Sequence, residues 1–419
     1  MFLSRQVDSL RSELRARLPE MLPGRLGVAV SGGGDSVALM HLLQGIAQRE
    51  SARLFVITVD HGLRSEAAHE AKVVAEQAAQ LGLSHETLRW GGWDGAGNLQ
   101  DRARQARYSL LTDWARGKDI SAVALGHTAD DQAETVLMRL GRAAGVTGLA
   151  AMPFQRHRGG IELLRPMLGI TRQRLRDYLT EIGVGWIEDP SNQDNRFDRI
   201  KAREALSNLE VLGIMPETLS RVAENLAQAR EALALFAQES ARKVARVEAG
   251  DILVDRVGFA ALPDEIRRRI LVGAVLWIAG RGYPPRQTAI DQAEEALLHG
   301  RAGAIGGCLL IPQGHNMWIC REFKAVEGLT VAAGAQWDGR WILTGPATAG
   351  ARISALGESG LQCLPDWRAI GRPRLALKSS PAVWQGDALL AAPLAGYANG
   401  WRAEPAPEWT EFHTSILSH

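Results

Sequence analysis

The sequence contains little cysteine, and no two cysteines lie close together. The three are Cys308, Cys320 and Cys363, and no CxxC pair occurs in the 419 residues. An odd number of widely spaced cysteines argues against a disulfide framework or a zinc knuckle and favours a reducing cytoplasm. No apolar run is long enough to span a membrane, and the charged, amphipathic N-terminus lacks the apolar core of a signal peptide. We therefore expect a cytoplasmic protein without membrane association.

The chain also lacks an excess of charge of either sign. Its 48 lysines and arginines nearly balance 47 acidic residues, which leaves a formal net charge of +1. Any nucleic-acid binding must therefore come from local basic patches. Two stretches are rich enough in arginine to be RNA contacts or, alternatively, solvated surfaces. Their basic residues are Arg156, Arg158, Arg165, Arg172, Arg174 and Arg176, and then Arg368, Arg372, Arg374 and Lys378.

The chain is too long for one typical core, and three different sequence patterns follow one another along it. Between residues 24 and 190, short β-rich runs (25–30, 53–60, 85–90 and 121–127) alternate with helical patterns, as in 66–82. This alternation predicts an α/β fold with a Rossmann-like parallel sheet, which binds ligands beyond the carboxyl ends of its strands. Helical periodicity dominates about 213–300, and short β-rich runs follow from residue 303. We expect a catalytic domain at 1–210, a helical domain at 211–300 and a small β-rich or α+β domain at 301–419.

A glycine-rich turn follows the first predicted strand and leads into a helix. It reads SGGGDS and consists of Ser31, Gly32, Gly33, Gly34, Asp35 and Ser36. Free N–H groups at such a turn and the helix dipole bind phosphate, and glycine permits positive φ and close approach. The turn lacks the lysine of a Walker A loop and the third glycine of a dinucleotide fingerprint. It instead resembles the SGGxDS loop of ATP pyrophosphatases, in which Asp35 would help to hold Mg²⁺ or orient a neighbouring group; the alternative is a plain tight turn.

A second group of polar residues follows the fourth predicted strand. His127, Asp130, Asp131 and Glu134 are spaced to share one face of a helix. Simple helix capping by the acidic residues is one interpretation. The other is a site for Mg²⁺ or a cationic substrate, because oxygen-rich clusters suit both and zinc would need more histidine or cysteine.

With further motifs, the sequence resembles the tRNA(Ile)-lysidine synthase family. The matching segments are SGGGDS (31–36), VDHGLR (59–64), GNLQDRARQARY (97–108), LGHTADDQAETVLMRL (125–140), LLRPML (163–168) and EDPSNQD (188–194). They cover about residues 25–205, and the helical middle and residues 364–374 also resemble the family, more weakly. Two segments depart from the family pattern: residues 142–145, where Arg-Gly-Ser-Gly is usual, and the run from Arg199 to Arg203, where an RNRIR-like run is frequent.

The resemblance implies a ligase that forms a carbon–nitrogen bond in two steps. ATP adenylates the 2-position oxygen of the wobble cytidine in an isoleucine tRNA with a CAU anticodon, releasing pyrophosphate. Free L-lysine then displaces AMP and leaves lysidine. The resemblance also assigns roles to residues: Asp131 and Glu134 hold lysine, Asp35 and Asp130 lie near Mg²⁺, Arg107 contacts the intermediate, and Asp60, His61 and His127 help to bind the nucleotide. ATP and Mg²⁺ are the expected cofactors, and a homodimer remains open.

Three other functions are compatible with a nucleotide-binding α/β domain. A sulfur-inserting tRNA enzyme needs cysteines near the ATP site, but all three cysteines lie beyond residue 300. An amidotransferase-type ligase would need a cysteine nucleophile domain. A nucleotide- or RNA-binding protein without turnover would have no use for the acidic helix face. Production of AMP from ATP would separate this last alternative from an enzyme.

Overall fold

A six-stranded sheet forms the centre of the first of two units, residues 1–230 and 231–419, into which the chain of the computed structural model divides. The structure describes residues 5–62, 66–93, 95, 99–188, 198–280, 283–407, 409 and 411–418. The strands of the first unit lie in the order β3-β2-β1-β4-β6-β5, and only β5 is antiparallel to its neighbour. They are β1 Arg25–Ala29, β2 Arg53–Asp60, β3 Ser84–Arg89, β4 Ala122–Leu125, β5 Gln155–Arg158 and β6 Ile161–Leu164.

Helices cover both faces of this sheet, as expected for parallel strands that are apolar on both sides. On one face, Leu26 and Val28 of β1 belong to a buried cluster with α2; on the other, Ala29 packs with Leu111 and Trp114 of α4. The helices of this unit are α1 Arg5–Ala16, α2 Gly34–Arg49, α3 Ala67–Gln80, α4 Leu99–Gly117, α5 Ala129–Leu140, α6 Val146–Leu149, α7 Arg172–Glu181 and α8 Asp198–Leu209, and α9 Pro216–Val244 spans the boundary at residue 230. The predicted α/β fold is confirmed, and the four predicted strands correspond to β1–β4.

The second unit contains three antiparallel sheets and several helices. The sheet orders are β7-β8-β11-β10-β9, β12-β15-β16-β17 and β13-β14-β18. The strands are β7 Ala245–Glu248, β8 Asp251–Asp255, β9 Gly303–Ile305, β10 Cys308–Gln313, β11 Asn316–Arg321, β12 Val331–Ala332, β13 Gln336–Trp337, β14 Trp341–Thr344, β15 Ala351–Ala355, β16 Pro381–Gln385, β17 Ala388–Ala391 and β18 Arg402–Pro405. The helices are α10 Arg256–Ala260, α11 Asp264–Ala279, α12 Gln287–His299, α13 Gly357–Gln362, α14 Arg374–Lys378 and α15 Phe412–Ser415.

The stretch predicted as helical differs from expectation in two ways. Strands β7 and β8 lie inside it. They were not predicted because runs of four or five residues are too short to alter a periodicity judged over longer windows. Within α9, moreover, the large apolar side chains of Val222 and Phe236 are exposed, whereas small residues such as Ala237 and Ala241 are buried. The sheet β7-β8-β11-β10-β9 combines strands from before and after residue 300, the proposed boundary between the second and third domains. The proposed domain bounds stay a prediction. Within the described residues, no helix has the length and apolar content needed to cross a membrane.

Candidate active site

A cavity of about 1080 Å³ opens in the first unit where β1, β2 and β4 end. The order of the strands reverses between β1 and β4, and such a reversal is where open α/β sheets bind their ligands. Gly126, just after β4, permits this edge to close, because a Cβ at that position would lie 3.1 Å from the Cα of Ser36. The cavity is lined by the glycine-rich turn, the ends of β1 and β2, and residues from α3, α4, α5, α7 and α8.

The glycine-rich turn, residues 31–36, is braced by its own serines. The N–H of Ser31 donates to Oγ of Ser36 at 3.1 Å, and that hydroxyl donates to the carbonyl of Gly33 at 2.9 Å. The N–H of Ser36 donates to the same carbonyl at 3.0 Å. Positive φ is needed only at Gly32, at 92°, whose carbonyl also accepts the N–H of Ile187. Ser36 therefore braces the turn with its N–H group and hydroxyl, and its predicted role in binding phosphate stays a prediction.

Four N–H groups of this turn remain available for an anion. Those of Gly32, Gly33, Gly34 and Asp35 donate to no described residue. Gly33 is the N-cap of α2, and no side chain caps the helix there. Uncapped N–H groups at the positive end of a helix dipole form a binding site for phosphate. The turn therefore has the donor arrangement that the sequence predicts.

Asp131 caps α5, as one interpretation of the acidic cluster predicts, and its second oxygen is available for another contact. Thr128 is the N-cap of α5, and its N–H donates to Oδ2 of Asp131 at 2.9 Å, which completes a capping box. Oδ1 of Asp131 instead faces the guanidinium of Arg172 at 3.4 Å. The prediction that His127 shares this helical face is wrong, because α5 begins only at Ala129, after the N-cap Thr128.

Arg172, the first residue of α7, connects the carboxylates of the site. Its Nε lies 3.2 Å from Oδ2 of Asp35, and its Nη2 lies 3.8 Å from Oε1 of Glu134. Glu134 is fully buried, and Nε of Arg203 donates to the same Oε1 at 2.5 Å. The other oxygen of Glu134, Oε2, is buried and has no partner among the described residues. One guanidinium is thus shared by carboxylates from two helices.

Burial and the two arginines set the protonation of these groups. Burial raises the pKa of Glu134, and the hydrogen bond from Arg203 offsets this only in part. Burial likewise raises the pKa of Asp35 against the effect of Arg172. Burial would also raise the pKa of Asp131, but Arg172 and His127 lower it more strongly. Burial opposes the charge of Arg172, yet the surrounding carboxylates hold its pKa above the usual value, so the guanidinium stays charged.

The lining of the cavity also includes the cation Arg107 and two histidines, His61 and His127. Arg107 of α4 makes no hydrogen bond or ion pair with any residue that the structure describes. Burial lowers the pKa of His127 to about 3, and Arg165 and Arg107 act in the same direction, so the ring is neutral at pH 7. Burial and Arg107 also lower the pKa of His61. An unpaired guanidinium between neutral imidazoles forms an environment that attracts an anion.

Most of the predicted site residues line the cavity. Those that do are Ser31, Gly33, Gly34, Asp35, Ser36, Asp60, His61, Arg107, His127 and Asp131, whereas Gly32, Asp130 and Glu134 do not. Oδ1 of Asp60 accepts the N–H of Gly62 at 2.8 Å, and Oδ2 of Asp130 accepts the backbone N–H of Arg172 at 2.7 Å. The roles assigned to these residues stay predictions.

Several residues of the cavity are not among the site residues predicted from the sequence. They are Arg172, Arg176, Trp186, Ile187, Glu188, Arg199 and Arg203. Arg172 was assigned to an RNA-binding stretch, and Arg199 and Arg203 were noted only as a departure from the family pattern. That departure was itself the available signal, since two arginines four residues apart on a helix share a face.

Three arginines predicted as RNA contacts are not free for that role. Arg165 is buried and donates to the carbonyl of Pro153, and Arg172 is engaged in the cavity. In the second unit, Arg372 is buried and forms an ion pair with Asp251. The prediction is wrong for these three because charge counted along a sequence does not distinguish a buried ion pair from a solvated face.

No group of three or more His, Cys, Asp or Glu residues capable of holding a metal ion occurs in the described parts of the chain. Of the two predicted metal ligands, only the carboxylate of Asp35 faces the cavity. Mg²⁺ in nucleotide sites commonly takes one or two carboxylates and completes its shell with phosphate oxygens and water. The site therefore fits an ion that arrives with a polyphosphate and not one held by the protein alone.

Known proteins resemble this chain in sequence over the region that forms the cavity. The family model of the PP-loop domain matches residues 7–210. The tRNA(Ile)-lysidine synthase of Ruegeria pomeroyi is 56% identical over 419 residues, the full length of both chains. That of Methylobacterium nodulans is 41% identical over 330 residues, 74% of this chain and 96% of the relative. A solved U34-tRNA thiolase, NcsA from Methanococcus maripaludis, is 17% identical with a TM-score of 0.48, over 53% of this chain and 80% of its own.

The sulfur-inserting alternative is not favoured, because residues 1–230, which form the cavity, contain no cysteine. The full-length match instead confirms the resemblance found in the motifs. The chain belongs to the tRNA(Ile)-lysidine synthase family, ligases with an ATP-binding PP-loop domain.

Proposed function

We propose that the protein joins free lysine to the 2-position of the wobble cytidine in the CAU anticodon of an isoleucine tRNA. ATP first adenylates the cytidine oxygen and releases pyrophosphate, and the ε-amine of lysine then displaces AMP. One observation carries the proposal within the first unit: a single cavity is lined both by the unoccupied N–H donors of residues 31–36 and by the carboxylate of Asp131. Polyanion and cation sites in one space are what the two steps need. As a tRNA-modifying enzyme, the protein would act in the cytoplasm.

The adenylation step requires a leaving pyrophosphate to be held. The N–H groups of Gly33 and Gly34 and the dipole of α2 would stabilise the charge that develops on it. Asp35 would hold Mg²⁺, which neutralises polyphosphate charge when bound. Arg107, which has no described partner, is placed to contact the negative charge of the adenylated intermediate.

The ligation step requires a cation to bind and then lose a proton. Oδ1 of Asp131, which lines the cavity, is the oxygen best placed to receive the ammonium group of lysine. Oε2 of Glu134 has no described partner but is buried outside the lining, so it would have to become exposed to join Asp131. Glu134 would also accept the proton more readily than an ordinary carboxylate, because burial raises its pKa. Neutral His127 would offer hydrogen bonding to the reacting base without competing for the lysine site.

The direct test incubates the full chain with ATP, Mg²⁺, lysine and unmodified tRNA(Ile). Digested nucleosides are then analysed by mass spectrometry, with isotopically labelled lysine as tracer. We expect a modified cytidine that carries the label and forms only when ATP is cleaved to AMP and pyrophosphate. AMP formation without transfer of the label would contradict lysine as the substrate, and a labelled product without ATP would contradict the adenylation step.

Glu134→Gln is expected to separate the two steps. The amide can still accept the hydrogen bond from Arg203 through its oxygen, but it no longer attracts a cation. The KM for lysine should rise about 10-fold, equivalent to about 1.4 kcal/mol for one charge-assisted contact. Adenylated tRNA should accumulate, as measured by retention of radiolabel from α-labelled ATP.

Glu181→Gln is the matched control, because Glu181 is exposed and lies outside the cavity. It should leave the KM for lysine unchanged. If Glu134→Gln blocked pyrophosphate release and left the KM for lysine unchanged, Glu134 would belong to the first step instead.

A further inference from the structure

Arg172 lies between the glycine-rich turn, residues 31–36, and the carboxylates of α5. Its guanidinium reaches Asp35, at the start of α2, and also Asp131 and Glu134, on α5. Its backbone N–H donates to Asp130, which fixes the first turn of α7 against α5. The side chain is about one-fifth exposed and lines the cavity. Arg172 therefore links the turn at residues 31–36 with the carboxylates of α5.

The contacts of Arg172 are looser than those of a committed ion pair. They measure 3.2, 3.4 and 3.8 Å, whereas charge-assisted N–H···O bonds usually measure about 2.7–2.9 Å. Nη2 is shared between Asp131 and Glu134, and no carboxylate receives the bidentate geometry that arginine forms at its strongest. By contrast, Arg203 is bound to Glu134 at 2.5 Å. Arg172 can therefore change partners without breaking a strong pair.

A polyphosphate at residues 31–36 would compete for this guanidinium. The free N–H groups of Gly33 and Gly34 place such a ligand beside Asp35, which would repel it if Arg172 did not compensate the charge. A polyphosphate carries several negative charges and attracts a guanidinium more strongly than one carboxylate does. As Arg172 turned toward it, Oδ1 of Asp131 would lose its cation, and Glu134 would keep only Arg203.

We propose that Arg172 is a positioning residue that couples the two substrates: a bound nucleotide draws it from Asp131 and Glu134, and the released carboxylate of Asp131 then binds the lysine ammonium group. The inference rests on the proposed function, because it takes lysine as the cation. It goes further in assigning an order. Without nucleotide, Arg172 occupies the carboxylates and lysine binds weakly, so lysine does not fill the site before the adenylating substrate has arrived.

Titration calorimetry of the full chain tests this coupling. Lysine is titrated with and without saturating α,β-methylene ATP, which resists cleavage between the α and β phosphates. In the wild type, the analogue should tighten lysine binding at least ~10-fold, and lysine should tighten binding of the analogue by the same factor, since coupling is reciprocal. In Arg172→Gln, lysine should bind more tightly than to the wild type without the analogue, and the coupling should fall below ~2-fold.

Two further variants separate coupling from damage to the fold. Arg174→Gln removes an arginine from the same helix that is paired with Glu13 and lies outside the cavity, and it should keep the wild-type coupling. Arg172→Lys retains the charge and should retain part of the coupling even if Arg172→Gln fails to fold. A loss of lysine affinity in Arg172→Gln, or unchanged coupling, would overturn the inference. Equal lysine binding by the wild type with and without the analogue would overturn the inference alone, and no lysine binding in either condition would overturn the proposed function as well.

Discussion

Gly33→Val is expected to abolish cleavage of ATP to AMP while the chain stays folded. Gly33 has an extended backbone with φ of −70°, which any residue can adopt. A Cβ there would lie 3.8 Å or more from every neighbouring side-chain and backbone atom described, so the protein itself accommodates it. The branched side chain would instead stand at the N-cap of α2, among the N–H groups that receive phosphate. Pyrophosphate release should fall by about 10³-fold or more, beyond the loss of a single hydrogen-bond donor.

Gly24→Val is the matched control for this experiment. Gly24 lies just before the opposite end of β1, and a Cβ there would meet no described atom within 4 Å. Both variants should have wild-type thermal unfolding, and only Gly33→Val should lose pyrophosphate release and binding of an ATP analogue. Near-normal turnover by folded Gly33→Val would remove residues 31–36 from the mechanism.

Local patterns predicted the parts of this fold that are determined locally. Strands β1 to β4 are short apolar runs, and the turn at residues 31–36 interrupts the pattern with three consecutive glycines. The beginning of α5 was also readable, because Thr128 followed by an acidic residue three positions later is a capping signal. Helical spacing counted from His127 ignores this signal and therefore places the histidine on the helix.

The ion pairs of the cavity could not be read from local patterns. Arg172 is 137 residues from Asp35 along the chain, and Arg203 is 69 residues from Glu134. Such partners meet only because the parallel sheet brings β1 and β4 together and α7 and α8 then pack nearby. The sequence therefore indicated which residues carry the charges, but not that two arginines already occupy the carboxylates assigned to lysine.

Arg107→Ala is expected to slow adenylation of the tRNA by about 10²- to 10³-fold, the range for loss of one group that stabilises developing charge. The stability of the chain should not fall, and it should rise slightly. Arg107 has no ion-pair partner among the described residues, and burial together with Arg104, Arg165 and Arg199 lowers its pKa. Because the surroundings of Arg107 disfavour its charge, we expect this charge to stabilise a bound anion and not the fold. Rapid-quench measurement of adenylated tRNA and thermal unfolding of the same preparation test both expectations.

Arg107→Lys and Arg116→Ala complete this experiment. Lysine keeps a positive charge but not the planar guanidinium, so it should recover part of the adenylation rate if attraction of an anion is the main effect. Arg116 lies on the same helix, α4, and pairs with Asp113 at 2.6 Å outside the cavity, so its removal should leave adenylation unchanged. Adenylation by Arg107→Ala within about 3-fold of wild type would contradict a role at the reacting centre. A marked drop in thermal stability would show instead that Arg107 stabilises the fold and that other groups of the folded chain compensate its charge.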